Sequence, residues 1–267
     1  MRNSTAARKR RPFSAWLVNP GSRQIFWIRI VSIVATLSVW EWYGRGVNPI
    51  FFSYPTAVVR AVPEMVRSGE LQEAIVESLQ PFSVGWVTAI VLGITIGLLM
   101  GRYRAVEGLL DSQVTALYST PTVALIPLFI LWLGLGFQAK VAIIFLSGFF
   151  PVTVNTFGGV KSVTSDLIDI GRVERAREDQ IFRKIIIPSS LPFILTGVRL
   201  SVGRAVVGMV VAELFTAISG LGGSIEFYGS TYQMDRLLVS VIILALLGIL
   251  LTQAVRLLEN RLMPWRS

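Results

Sequence analysis

Neither cysteine nor histidine occurs anywhere in the 267 residues. Their absence removes disulfides, thiol chemistry, zinc sites built on Cys or His, and any imidazole acting as a general base. Charge is scarce too. Asp, Glu, Lys and Arg make up 15% of the chain, against about 25% in an ordinary soluble domain. The shortage is uneven, because residues 141–160 and 237–255 carry no charged side chain. No Gly-x-x-x-x-Gly-Lys-Ser/Thr sequence is present, so the chain cannot cradle nucleotide by that motif. A membrane enzyme would need a nucleophile–base set or a metal cluster, and without His or Cys few options remain. No metal and no cofactor are expected.

What is present is apolar: 53% of residues are hydrophobic. A bilayer core of about 30 Å takes roughly 20 apolar residues in helix. Six runs fit, at about 25–43, 81–100, 110–133, 141–160, 191–215 and 237–258. The first follows a basic arm with Arg8, Lys9, Arg10 and Arg11 and ends in Trp40, Trp42 and Tyr43. Aromatics suit a helix end at the lipid–water boundary. No small-residue cleavage site follows, so this run reads as a retained span rather than a signal peptide. Pro121 and Pro127 interrupt the third run and predict a kinked helix. Residues 48–79 are more polar and predict an external connection with an amphipathic helix over about 56–68. Gly220, Gly222 and Gly223 mark a loop. The fold class is therefore all-α integral membrane with six transmembrane helices, a basic arm at 1–24 and a single membrane domain at 25–267.

Six spans put both termini on one side of the membrane. That side carries eighteen of the 25 Lys and Arg residues, the other five, and two, Arg199 and Arg204, lie within the fifth span. The positive-inside rule then places both termini in the cytoplasm. The net charge of +9 follows from topology and is not a nucleic-acid footprint. Gly93, Gly97 and Gly101 in the second span, and Gly197, Ser201 and Ala205 in the fifth, form small-residue ridges for close helix packing. Ionisable groups deep in spans are few: Arg199, Arg204 and Glu213. Arg199 and Glu213 read as lying near opposite interfaces. Arg204 and Glu213 are nine residues apart and point in opposite directions on a helix, which leaves Arg204 to face a neighbour or a polar path.

The longest polar connection, at about 161–190, joins the fourth and fifth spans. Ile181, Phe182, Ile185 and Ile186 recur there at helical spacing, a face suited to a partner's groove or to lipid headgroups. Arg172, Arg175 and Arg177 either pair with acids on a partner or are simply solvated. The segment resembles the cytoplasmic coupling loop of ATP-binding-cassette (ABC) importer permeases, whose pattern is Glu-Ala-Ala, three residues, Gly, nine residues, Ile-x-Leu-Pro. Here Asp169, Ile170 and Gly171 stand for the first three, Arg175 takes the glycine position, and Ile185, Ile186, Ile187 and Pro188 close the pattern. Stretches 123–136, 149–156 and 191–200 resemble the third to fifth spans of the nitrate/sulfonate/taurine-type permeases, and the likeness runs from about Tyr54 to the C-terminus.

The resemblance implies a type I ABC importer permease in a bacterial inner membrane. Its expected partners are separate ABC ATPase subunits, an extracytoplasmic substrate-binding protein, a second copy of this chain, and membrane lipids. Asp169, Gly171, Arg172, Arg175, Arg177, Ile181, Phe182 and Pro188 map to the coupling loop. The family glycine suits a tight turn with positive φ, so the turn either takes its freedom from Gly171 or couples differently. Asn155 and Arg204 are the candidates for the translocation path, and the solute is expected to be a small organic anion. The alternative is a secondary carrier or channel working without ATP, which would call for buried acids or a broken helix at mid-membrane.

Overall fold

The computed structural model describes residues 22–216 and 219–263. The basic arm expected at 1–24 falls almost wholly outside these residues. The described elements are α1 (Ser22–Gly46), α2 (Pro55–Arg67), α3 (Glu70–Arg102), α4 (Arg104–Ser119), a 3-10 turn (Thr122–Leu125), α5 (Ile126–Leu133), α6 (Phe137–Lys161), α7 (Ser165–Val173), α8 (Glu178–Ile181), a π-helical segment (Phe182–Ile186), α9 (Ile187–Thr216), α10 (Gly220–Ser230) and α11 (Met234–Leu262). Helices alone suit lipid, because they satisfy their backbone groups internally. Five helical stretches are long and apolar enough to cross a bilayer, and α4 with the segment through α5 makes a sixth, broken one.

Helix α6 lies between α3 and α9 and makes the most extensive contacts in the molecule. Both small-residue ridges face it. A Cβ built at Gly97 of α3 would stand 2.6 Å from the Thr156 Cβ and 2.7 Å from the Thr153 carbonyl. One built at Gly197 of α9 would stand 2.8 Å from the Asn155 Cβ. Backbones approach this closely only where side chains are absent. Around these three helices, α2 buries Val58, Ala61 and Met65 against α3, α10 and Val239 of α11. Helix α1 stands apart, its apolar side chains exposed. The Trp40 indole donates to the Ser53 carbonyl at 2.9 Å, and Glu41 caps α2 by accepting the Thr56 N–H at 3.0 Å.

The third span departs from the expected kink. Thr120 is extended and ends α4, Pro121 cannot continue its ladder, and the two halves meet at 97°. A proline removes a backbone donor and pushes the preceding residue out of the helical region. Pro127, in the first turn of α5, adds no break because the first N–H groups of a helix need no helical partner. Pro63, Pro81, Pro151 and Pro192 all sit inside continuous helices. With eight residues, α5 is about 12 Å long and cannot cross the hydrocarbon alone.

Gly97→Ala is expected to destabilise the protein by about 1–3 kcal/mol, because α6 backbone would have to move. Gly158→Ala, where a Cβ meets nothing within 4 Å, is the control. Thermal unfolding in detergent should show a lower Tm for the first variant only; equal Tm values would contradict this packing.

Candidate functional site

Three regions hold the polar and charged residues that the fold places with care. The first is the turn between α7 and α8. Helix α7 ends with the Ala176 N–H donating to the Gly171 carbonyl at 3.0 Å and the Arg175 N–H to the Arg172 carbonyl at 2.9 Å. These are the two bonds of a Schellman cap, with Arg175 as its left-handed residue at φ +53°. Arg175 thus adopts the conformation that suits the family's glycine, and the turn survives the substitution. Gly171 does not supply the freedom. It is helical, and a Cβ there would stand 2.9 Å from Ile185 Cδ1 and 3.2 Å from Ile181 Cγ1, so it lets α7 sit down on the following helix.

That contact decides which face of the loop is free. Ile181 is 1% exposed, and the Phe182 ring lies under the Arg102 guanidinium at 4.6 Å, at the end of α3. The apolar face expected to meet a partner is turned inward. The exposed apolar face belongs to α7: Leu167, Ile170 and Val173, three residues apart, are 44%, 60% and 80% exposed. Arg172 bridges Asp169 at 3.4 Å and Glu178 at 3.5 Å, and Arg177 reaches Asp179 at 3.4 Å. Such exposed pairs are worth little each, but Arg172 links α7 to α8. The Gln180 side chain accepts the Arg177 N–H at 2.9 Å and starts α8. Pro188, exposed, lies in the first turn of α9 just after the π-helical segment, and its missing N–H falls where the helix changes hydrogen-bond register.

The second region is a cavity of about 470 Å³ at the break in the third span. Residues 117–123 wall one side; Leu146, Ser147, Phe150 and Pro151 of α6 and Arg204, Val207, Gly208 and Val211 of α9 wall the other. Arg204 is the one charged residue in the lining. Arg199, five residues earlier, instead bonds Glu259 of α11 at 3.3 Å. Asn155 is not in the lining; its amide donates to the Pro151 carbonyl at 2.8 Å, and its Cβ packs on Gly197.

The third region was not legible as a site. Residues 220–223 are not a loop: α10 begins at Gly220, and side chains from two other helices hold its first N–H groups. Glu77 accepts from Gly220 at 2.8 Å, Ser78 from Leu221 at 2.8 Å and Glu213 from Gly222 at 2.7 Å. Glu213, read from the sequence as interfacial, is fully buried. Lys140, read as an outer charge, is 5% exposed and donates to the Ser219 hydroxyl. Carboxylates at a helix N-terminus are favourable, and four orphan donors there demand acceptors. At the far end of α10, the Tyr228 hydroxyl donates to Glu70 at 2.8 Å. Burial, and then the Glu70 carboxylate, hold that phenol above its ordinary pKa.

A six-pass helical bundle broken once, with a short helical turn projecting from one end, defines the membrane subunit of a type I ABC importer. The profile of the binding-protein-dependent transport system inner membrane component matches residues 89–264, and the chain belongs to that family. It is 35% identical over 251 residues to the putative aliphatic sulfonates transport permease of Bacillus subtilis, covering 93% of this chain and 91% of that one. It is 31% identical over 255 residues to the taurine transport system permease of Escherichia coli, covering 93% and 92%. It is also 35% identical over 235 residues to the formylaminopyrimidine transport permease of Halalkalibacterium halodurans, covering 86% and 92%. Among solved structures, the inward-facing MetNI methionine ABC transporter superposes with a TM-score of 0.60 at 20% identity, over 72% of this chain and 95% of that one.

Two outcomes test these placements. Arg175→Gly should relieve a left-handed side chain and stabilise the turn by about 1 kcal/mol; hydrogen exchange of the Arg175 and Ala176 amides should slow about fivefold. Glu213→Ala should cost about 1–3 kcal/mol by leaving the Gly222 N–H without an acceptor, whereas Glu213→Gln keeps a carbonyl there and most of the stability. A Tm for Glu213→Ala equal to that of the parent would contradict the burial described.

Proposed function

We propose that two copies of this chain, with two separate ABC ATPase subunits, form the translocation path of an importer for a small organic anion delivered by an extracytoplasmic binding protein. Both termini and the α7–α8 turn face the cytoplasm, as the distribution of Lys and Arg supports. ATP hydrolysis takes place on the ATPase subunits, and the outer surfaces of α1 and α11 meet lipid or the second copy.

The observation that carries the reading is the α7–α8 turn, which is fixed to its own subunit and apolar toward solvent. Gly171 and Ile181 lock α7 onto the helix that continues into α9, and Arg102 clamps Phe182 to α3. Leu167, Ile170 and Val173 are left without a cover. An apolar helical face at i, i+3 and i+6 suits a groove on another protein, and Arg172, Arg175 and Arg177 rim it. Closure of the ATPase dimer would therefore push on a rigid lever rather than on a loose loop. The names of the relatives span sulfonates, taurine and a pyrimidine, so the anionic class rests on Arg204.

The test is co-purification from the native membrane. Tagged parent chain should bring down a Walker-type ATPase. Val173→Glu combined with Ile170→Asp should reduce recovery by at least tenfold while leaving the Tm unchanged. A parent chain that folds but never recovers an ATPase would return the account to a carrier driven by an ion gradient.

A further inference from the structure

We propose that Lys140 and Glu213 are positioning residues of the transport cycle, two halves of a latch at the start of α10. When that start lets go, the Lys140 ammonium exchanges the Ser219 hydroxyl for the free oxygen of Glu213. The inference rests on the permease reading and goes further, since it assigns a moving part to the end of the bundle opposite the α7–α8 turn.

Three helices send side chains to one short stretch there. Glu77 and Ser78 of α3 and Glu213 of α9 accept the Gly220, Leu221 and Gly222 N–H groups. Lys140 of α6 donates to Ser219, just before them. Glu213 and Lys140 are 0% and 5% exposed. Buried charges are tolerated when they are paired and hydrogen-bonded, yet among the described residues no ion pair involves either one. Glu213 makes a single hydrogen bond, through Oε2, and Oε1 has no partner. The Ser78 hydroxyl stands close by, with its oxygen engaged by the Leu221 N–H.

Lys140 spends one of its three ammonium protons on a neutral oxygen. Two opposite charges are thus buried near each other without a bond between them. Ser219 precedes Gly220, where an added Cβ would run into Glu213 Oε1, so the ammonium is anchored one residue from the carboxylate. Its charge already acts on Glu213, and its four-carbon stem is flexible.

In the state described, the start of α10 supplies a partner to both groups. Withdrawing it strips Gly222 from Glu213 and Ser219 from Lys140 together, and a buried charge left bare is costly. A direct Lys140–Glu213 pair replaces what each loses. Glu77 is exposed and exchanges Gly220 for water. The latch therefore has two discrete arrangements, as a switching element requires.

Hydrogen exchange at the Gly220, Leu221 and Gly222 amides tests this, with the full chain in lipid nanodiscs beside its co-purified ATPase. In the parent these amides should be protected at rest and exchange at least tenfold faster when the ATPase is trapped with vanadate. Glu213→Gln keeps an acceptor for Gly222, and Lys140→Met keeps all three α10 bonds, but neither variant can form the ion pair. In both, the acceleration should fall below threefold while resting exchange and Tm stay near the parent's. Lys140→Arg, which keeps the cation, should restore it. The two neutral variants remove opposite halves of the pair, so a folding defect in one leaves the other to decide. Parent amides that exchange at one rate in both states, or neutral variants that accelerate like the parent, would overturn the latch and leave the importer reading standing. A parent chain that recovers no ATPase would strike the importer reading and the latch with it.

Discussion

A polypeptide in hydrocarbon has to pair every backbone N–H and C=O within itself, and an interruption is tolerated only inside protein or against water. Among the described residues one apolar span is interrupted, at Thr120 and Pro121, and its two halves meet at 97°. The rest of the arrangement answers that break. The freed backbone lies at an open cavity walled on its other side by α6 and α9, and the one charged side chain in the lining, Arg204, borders the same space. Without the surrounding helices the break would sit in lipid; without the break α4 would fill the cavity. The glycine faces that hold α6 between α3 and α9 fix the opposite wall.

Helix α9 joins the parts. From Glu178 through the π-helical segment to Thr216 the chain is one helical stretch of 39 residues. Arg204 lies 26 residues along it, about 39 Å from its start. The stretch carries the turn at one end, Arg204 in the cavity, and Glu213 holding α10 near the other end. Its irregular stretch, where the π-helical bonds precede Pro188 and Pro192, lies between the turn and the cavity. A bend there would shift the turn relative to the cavity, and the Arg199–Glu259 contact with α11 sits between them.

Much of this is legible in the sequence alone. The charge gaps marked the long apolar helices, and the scarcity of ionisable groups singled out Arg204, which lines the cavity. Pro121 was visible, but its effect was not. A helix-internal proline and a helix-breaking one look alike in sequence, and Pro81, Pro151 and Pro192 leave their helices continuous. The glycines at 220–223 read as a breaker because their acceptors, Glu77 and Ser78, lie more than 140 residues away. In the turn, the spacing of Ile181 and Phe182 correctly marked a helical face, but only the contact with Gly171 reveals that it points inward. Arg175 at the glycine position cost the turn its most favourable residue and not its geometry.

The central claim is that the cavity at the broken span is a water-accessible section of a path whose exposure is switched by the ATPase. A cysteine-free chain makes the measurement clean: Thr122→Cys, in proteoliposomes with the ATPase, is treated with a membrane-impermeant anionic thiol reagent. The thiol should react, and its rate should change at least tenfold when the ATPase is trapped with vanadate. A thiol that never reacts, or that reacts at one rate in every nucleotide state, would contradict the account.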